Sequence, residues 1–180
     1  MNRSVQLLAM ASLLGVPVAF AADVNQVQVN LSGYEEVPAV STAASAGFNA
    51  TISDDGSRID WELSYSGLEG AVQQAHIHVG QESVNGGISV FLCTNLGNGP
   101  VGIQPCPAAP GTITGTILAA DVSPNIPATA AARTQGINTG ELTELIAAIR
   151  AGATYVNVHS TTWPGGEVRS QIEDKKSAKN

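Results

Sequence analysis

An all-β domain, folded as an antiparallel Greek-key sandwich or barrel, is the class that three features of this sequence predict. Apolar and polar residues alternate at period two in five separate runs. Gly, Pro, Asn and Asp cluster between those runs, where turns are needed. Only one stretch, near residues 139–151, shifts to helical spacing. The chain has 180 residues and a net charge of −7, with its few basic side chains scattered except for Lys175, Lys176 and Lys179. That distribution argues against nucleic acid as a partner and reads as solubility.

The first 21 residues read as a cleaved signal peptide. Arg3 precedes an apolar run from Val5 to Phe20, and Ala19-Phe20-Ala21 closes it with a small-x-small cleavage pattern, so Ala22 begins the exported chain. An uncleaved anchor is the competing reading, but the run is short for a span of about 20 residues and Pro17 interrupts it. No cysteine follows the run for lipid attachment and no twin arginine precedes it, which points to general secretion into a periplasm or the exterior. No later segment suits stable membrane insertion. Residues 22–173 then suit one β domain, followed by a polar tail at 174–180.

Within the domain the expected strands carry Val27, Val29 and Leu31; Phe48, Ala50 and Ile52; Ile59, Trp61, Leu63 and Tyr65; Ile88, Val90 and Leu92; and Val156 with Val158. Asp54-Asp55-Gly56, Gly67 with Gly70, Asn85-Gly86-Gly87 and the stretches around Pro110 and Pro124 supply turns. Acid pairs such as Asp54-Asp55 and Glu35-Glu36 read as turn and surface residues.

Cys93 and Cys106 enclose the Gly/Pro/Asn-rich segment TNLGNGPVGIQP, and in an oxidising compartment a disulfide closing that loop is expected. Free thiols or thiolate metal ligands are the alternatives, although an isolated pair at this spacing resembles no structural zinc motif. Farther on, Leu142, Leu145, Ile146 and Ile149 recur at helical spacing between Thr139, a possible N-cap, and Arg150 with Gly152. One short amphipathic helix covering the sheet follows.

The chain has three histidines, and two lie in Ala75-His76-Ile77-His78-Val79. On a strand, period two places both imidazoles on one face with Cα atoms roughly 7 Å apart, a gap one metal ion can bridge. Ala75, Ile77 and Val79 then face the core. His159 ends a second such run, Tyr155-Val156-Asn157-Val158-His159, in which Tyr155, Asn157 and His159 share a face. If the two strands approach, three imidazoles converge on a site for one copper or zinc ion with an open position. A hydrogen-bonded histidine cluster that merely stabilises strand ends is the alternative.

Trp163-Pro164-Gly165-Gly166-Glu167-Val168-Arg169 then folds the chain back. That return can bring Arg169 toward the metal, where a permanent cation with a planar fork of donors attracts and orients a small anion. A salt bridge to Glu167 or Glu173 is the equal alternative.

On Leu31-Ser32-Gly33-Tyr34-Glu35-Glu36-Val37-Pro38, Ala75-His76-Ile77-His78-Val79-Gly80, Asn85-Gly86-Gly87, Tyr155-Val156-Asn157-Val158-His159 and Gly166-Glu167-Val168-Arg169-Ser170-Gln171-Ile172, the chain resembles the CHRD (chordin-type) domain of bacterial secreted proteins. The likeness covers nearly all of the exported chain. More weakly, Gly67-Leu68-Glu69-Gly70 followed by His76-Ile77-His78, a later histidine and an arginine after a Gly-rich return are similar to copper-zinc superoxide dismutases. That likeness implies a Greek-key barrel, copper on His76, His78 and His159, and Arg169 as the guide for superoxide. No histidine is left for a bridging ligand or a zinc site, so a binuclear centre is excluded and a mononuclear one remains. The cysteine pair also closes a local loop, unlike the longer-range link of that family.

Three functions follow. A redox enzyme would hold copper on the three histidines and dismutate superoxide. A carrier would bind copper without turnover, in the histidine-only Cu(II) form, because both methionines, Met1 and Met10, lie in the leader and soft thioether ligands are lacking. A metal-free adhesion or matrix module would use the histidines structurally. No nucleophile-elbow pattern or phosphate-binding loop occurs, and a three-histidine zinc hydrolase is the remaining enzymatic alternative.

Overall fold

The computed structural model describes residues 25–172. The leader, its cleavage ahead of Ala22 and the tail at 174–180 lie outside the described residues. Eight strands, β1 (Gln26–Ser32), β2 (Ser45–Ile52), β3 (Ile59–Ser66), β4 (Val72–Val79), β5 (Gly87–Thr94), β6 (Gly111–Ile117), β7 (Thr154–Ser160) and β8 (Val168–Gln171), form one sheet in the order β5-β4-β7-β8-β1-β2-β3-β6. Every pairing is antiparallel. The connections β3 to β4 and β6 to β7 join strands that are not neighbours, which gives the Greek-key crossing the alternation and turns predict.

The sheet curls into a nearly closed barrel with β5 and β6 at its free edges. The Gln104 side-chain amide donates to Leu92 O on β5 (3.3 Å) and to Thr114 O on β6 (3.1 Å), so one side chain stitches the seam that backbone pairing leaves open. Gln104 is held there by the expected disulfide: Cys93 and Cys106 are bonded. Asn95 reinforces the loop, accepting from Cys106 N–H (3.0 Å) and donating to Val72 O (3.0 Å) and Cys106 O (3.1 Å). Replacing both cysteines with serine is expected to lower stability by about 3 kcal/mol through the loop entropy restored to the unfolded chain. Urea unfolding of the two proteins measures it, and an unchanged midpoint would contradict the role assigned to this loop.

Phe48, Ile52, Ile59, Leu63, Ala75, Ile77, Leu92, Val156 and Val158 fill the barrel, each at most 1% exposed. At the end marked by the β2–β3 turn, helix α2 (Leu142–Arg150) adds Leu142, Leu145, Ile146 and Ile149 to the same core. Its C-terminus follows the sequence expectation. Gly152 takes φ +65°, and Ala153 N–H and Gly152 N–H donate to Ala148 O and Ile149 O in a Schellman arrangement. The N-terminus does not: Thr139 Oγ1 donates to Ser123 O (2.7 Å), and Glu141 occupies the cap position instead. The structure also adds a helix, α1 (Ala130–Thr134), whose only buried residue is Ala132. Too short and too alanine-rich to show an apolar stripe, it packs its backbone on Gly87, where a Cβ would come within 2.2 Å of Ala132 N.

One asymmetry of the barrel positions the site. β2, β3 and β6 alternate buried and exposed residues, so their outer face is solvated, whereas β7 and β8 are buried at every position and β4 and β5 at most of theirs. Irregular segments therefore cover the outside of the β5-β4-β7-β8 half. The histidines lie under that cover.

Candidate metal centre

β4 and β7 are neighbours, and their register sets His76 opposite Asn157, His78 opposite Tyr155 and Gln74 opposite His159. Ala75 and Ile77 point into the core, with Val79 packed against its margin, so the period-two expectation for this strand holds. Register shifts between β4 and β5 flank His76 and His78, a bulged geometry that re-aims side chains. The three imidazoles converge, with one nitrogen from each lying within 4.8 Å of the others. Ring centroids stand 5.4 Å apart for His76–His78, 5.0 Å for His76–His159 and 6.4 Å for His78–His159. All are buried, at 0%, 7% and 6% exposure in chain order.

Backbone carbonyls fix two of the tautomers. His78 Nδ1–H donates to Gly86 O and His159 Nδ1–H donates to Pro164 O, each at 3.0 Å, because a carbonyl oxygen can only accept. Their Nε2 atoms therefore carry bare lone pairs. His76 Nδ1 lies 3.3 Å from His159 Nε2, while the Nε2 atoms of His76 and His78 are buried with no hydrogen-bond partner. Metal-binding histidines are oriented by such carbonyl bonds on the far ring nitrogen, and unpartnered buried lone pairs are what a cation satisfies. Burial, joined by the neighbouring His159 and His78, holds His76 well below the ordinary range. Burial likewise lowers His159, and it lowers His78 to about 4 against the Gly86 bond, which raises it. All three are neutral at pH 7, as ligation requires.

The surrounding cage explains the glycines of Asn85-Gly86-Gly87. A Cβ on Gly86 would lie 1.6 Å from Val79 O, so only glycine brings this carbonyl to His78. Tyr155 Oη accepts from Gly86 N–H (3.1 Å), and the Tyr155 ring stacks on His78 at 4.6 Å and 6°. Phe91 meets His76 edge-on at 4.5 Å.

Arg169, on β8 opposite Asn157, places its guanidinium 3.5 Å from the centre of the Tyr155 ring. β4 and β8 flank β7, so Tyr155 is sandwiched between His78 and Arg169. The guanidinium donates to Gln81 O (3.2 Å), Val84 O (3.0 Å) and Asn85 Oδ1 (3.3 Å), and the residue is 1% exposed. All three acceptors are neutral, and among the described residues no ion pair joins Arg169. Glu167 is engaged elsewhere, accepting from Thr42 Oγ1 (2.9 Å) and Glu69 N–H (2.8 Å), and Glu173 lies outside the described residues.

Glu36 corrects the reading of Glu35-Glu36 as surface acids. Glu35 is exposed, but Glu36 is 6% exposed and faces Asn157, whose Nδ2 lies 3.4 Å from Glu36 Oε1. The other end of that amide, Oδ1, lies 3.1 Å from His159 Nε2. Desolvation raises the Glu36 carboxyl to about 7, against Asn157, Arg169 and the Val37 backbone, which lower it. No periodicity marks a lone acid in an irregular segment; the only sequence signal is Gly166, where a Cβ would meet the Glu36 carboxylate at 2.3 Å.

Three neutral nitrogens within reach of one another can hold a single ion with bonds of about 2.0–2.1 Å after small ring rotations. Among the described residues no helix is long and apolar enough to cross a membrane. Comparison with curated proteins and with solved structures gave no match. The family model of the CHRD domain matches residues 27–172, from the first core residue of β1 to the last of the barrel. The chain belongs to the CHRD domain family.

Proposed function

We propose that this protein is exported and holds a single copper ion on His76, His78 and His159. The observation that carries this reading is the pair of carbonyl-fixed tautomers, which aim bare Nε2 lone pairs from β4 and β7 into one buried space. A hydrogen-bonded cluster serving only stability would have partners for those nitrogens, yet two of the buried Nε2 atoms have none. The leader supports export, and the lack of thioether ligands in the exported chain favours nitrogen-bound Cu(II) over thioether-bound Cu(I) carriage. Zinc is the alternative occupant, because three imidazoles also suit tetrahedral zinc with a water.

Superoxide dismutase-like redox activity is the catalytic form of this reading, and the position of Arg169 favours it. Copper would supply the one-electron cycle, while the chain supplies a permanent cation, with no ion pair among the described residues, one aromatic ring away from His78. That charge opposes locally the repulsion of an acidic protein toward an anionic substrate. A carrier without turnover needs the same ligands but no such cation. The discriminating experiment compares superoxide decay with copper-loaded, zinc-loaded and metal-free protein. Catalysis in the copper form alone, falling as ionic strength rises, supports the enzyme; tight copper binding with no acceleration leaves a copper carrier.

A further inference from the structure

Glu36 is a buried carboxyl that reaches the histidines through Asn157. It is not paired with a cation: Arg169 acts on it through space, but no ion pair joins them, and the salt bridge among the described residues is Arg58–Asp60. It is nonetheless built in. The return at Gly166 passes so close to the carboxylate that a methyl group there would overlap it, with all three atoms of the carboxyl group within 2.8 Å of that Cβ position. The same residue lines a pocket of about 220 Å³ between residues 36–40 and 163–166, whose other wall, at Pro164, anchors His159.

The amide between Glu36 and His159 is oriented. Asn157 turns Nδ2 toward Glu36 and Oδ1 toward His159 Nε2. With His159 Nδ1 carrying the ring proton, Oδ1 and Nε2 are both acceptors, so this end of the amide presents negative charge density to the site. A divalent cation on three neutral imidazoles brings two positive charges into a low-dielectric interior that already holds Arg169. Buried charge of that kind requires a counter-charge.

We propose, on the reading that the three histidines bind a metal, that Glu36 is the counter-charge of the site: its carboxylate, acting through the Asn157 amide, stabilises the bound cation. The groups facing it are Arg169 from β8, Tyr155 and Asn157 from β7, and the Val37 backbone on its own segment. Because burial raises this carboxyl to about 7, a large share of it carries a proton near pH 6.5, and cation binding expels that proton. Glu36 is thus a positioning residue and not a ligand.

The test is zinc titration of the mature protein by calorimetry near pH 6.5 in two buffers of different ionisation heat. Wild type is expected to release a substantial fraction of a proton per zinc. Glu36→Gln is expected to release fewer protons than wild type and to bind about 10–100-fold more weakly, the range for groups that orient and balance ligands. Infrared difference spectra of wild type supply a readout that needs no variant: the band of a protonated carboxyl should disappear as zinc is added. Unchanged affinity in Glu36→Gln, or a persistent carboxyl band, overturns the assignment of Glu36 alone. Absence of zinc and copper binding in wild type overturns the three-histidine reading beneath it.

Discussion

Arg169→Leu will destabilise the fold by about 3 kcal/mol, among the larger effects expected of any single substitution outside the hydrophobic core. The guanidinium holds Gln81 O, Val84 O and Asn85 Oδ1, and leucine leaves those acceptors without their charged donor. It also removes the group stacked on Tyr155. In a domain of this size the loss corresponds to a fall of roughly 6–12 °C in melting temperature. Arg169→Lys keeps the charge but not the planar fork, so it should fall between wild type and leucine. The segment 81–86 carries Gly86, whose carbonyl sets the tautomer of His78, so metal affinity should drop along with stability. Thermal unfolding and metal titration of both variants check this. Leucine with wild-type stability would show that the fork is not what fixes the 81–86 segment.

Alanine at His76 or His159 is expected to weaken copper and zinc binding by more than 100-fold, since loss of a ligand exceeds the roughly 10–100-fold cost of losing an orienting group. The pH dependence of the metal-free fold gives an independent signature. The folded histidines sit below their ordinary pKa, so as pH falls the unfolded chain takes protons first and the folded state loses stability. The window runs from the ordinary histidine value of 6.5 down to about 4, where His78 protonates in the folded state. Glu36 acts oppositely: its raised carboxyl favours the fold below about pH 4.5, and that contribution is lost as pH rises to about 7. Each histidine removed should flatten the acid limb between pH 6.5 and 4. Chemical unfolding at several pH values measures it, and an equally steep limb in His76→Ala would contradict the buried neutral state.

What was legible in the sequence followed local periodicity. His-x-His at period two needs only a strand to put both imidazoles on one face, and the β4–β7 register then adds His159. The stripe Leu142, Leu145, Ile146 and Ile149 likewise specifies a helix face, and Gly152 its end. What was illegible depends on segments distant in sequence. The alternation of β7 gives Tyr155, Asn157 and His159 one face, but not that Glu36 meets Asn157 there or that Pro164 O meets His159. Glu36 looks like its neighbour Glu35 until Gly166 and Asn157 enclose it. Thr139 matches an N-cap in composition, but its hydroxyl is drawn to Ser123 O, a partner 16 residues away.

The three-histidine copper centre is tested most directly by the electron paramagnetic resonance spectrum of the mature protein carrying one equivalent of Cu(II). An axial signal with hyperfine coupling to three imidazole nitrogens, losing one coupling in His159→Ala, is the predicted result. A spectrum without imidazole coupling, or one unchanged by His76→Ala and His159→Ala, would contradict it.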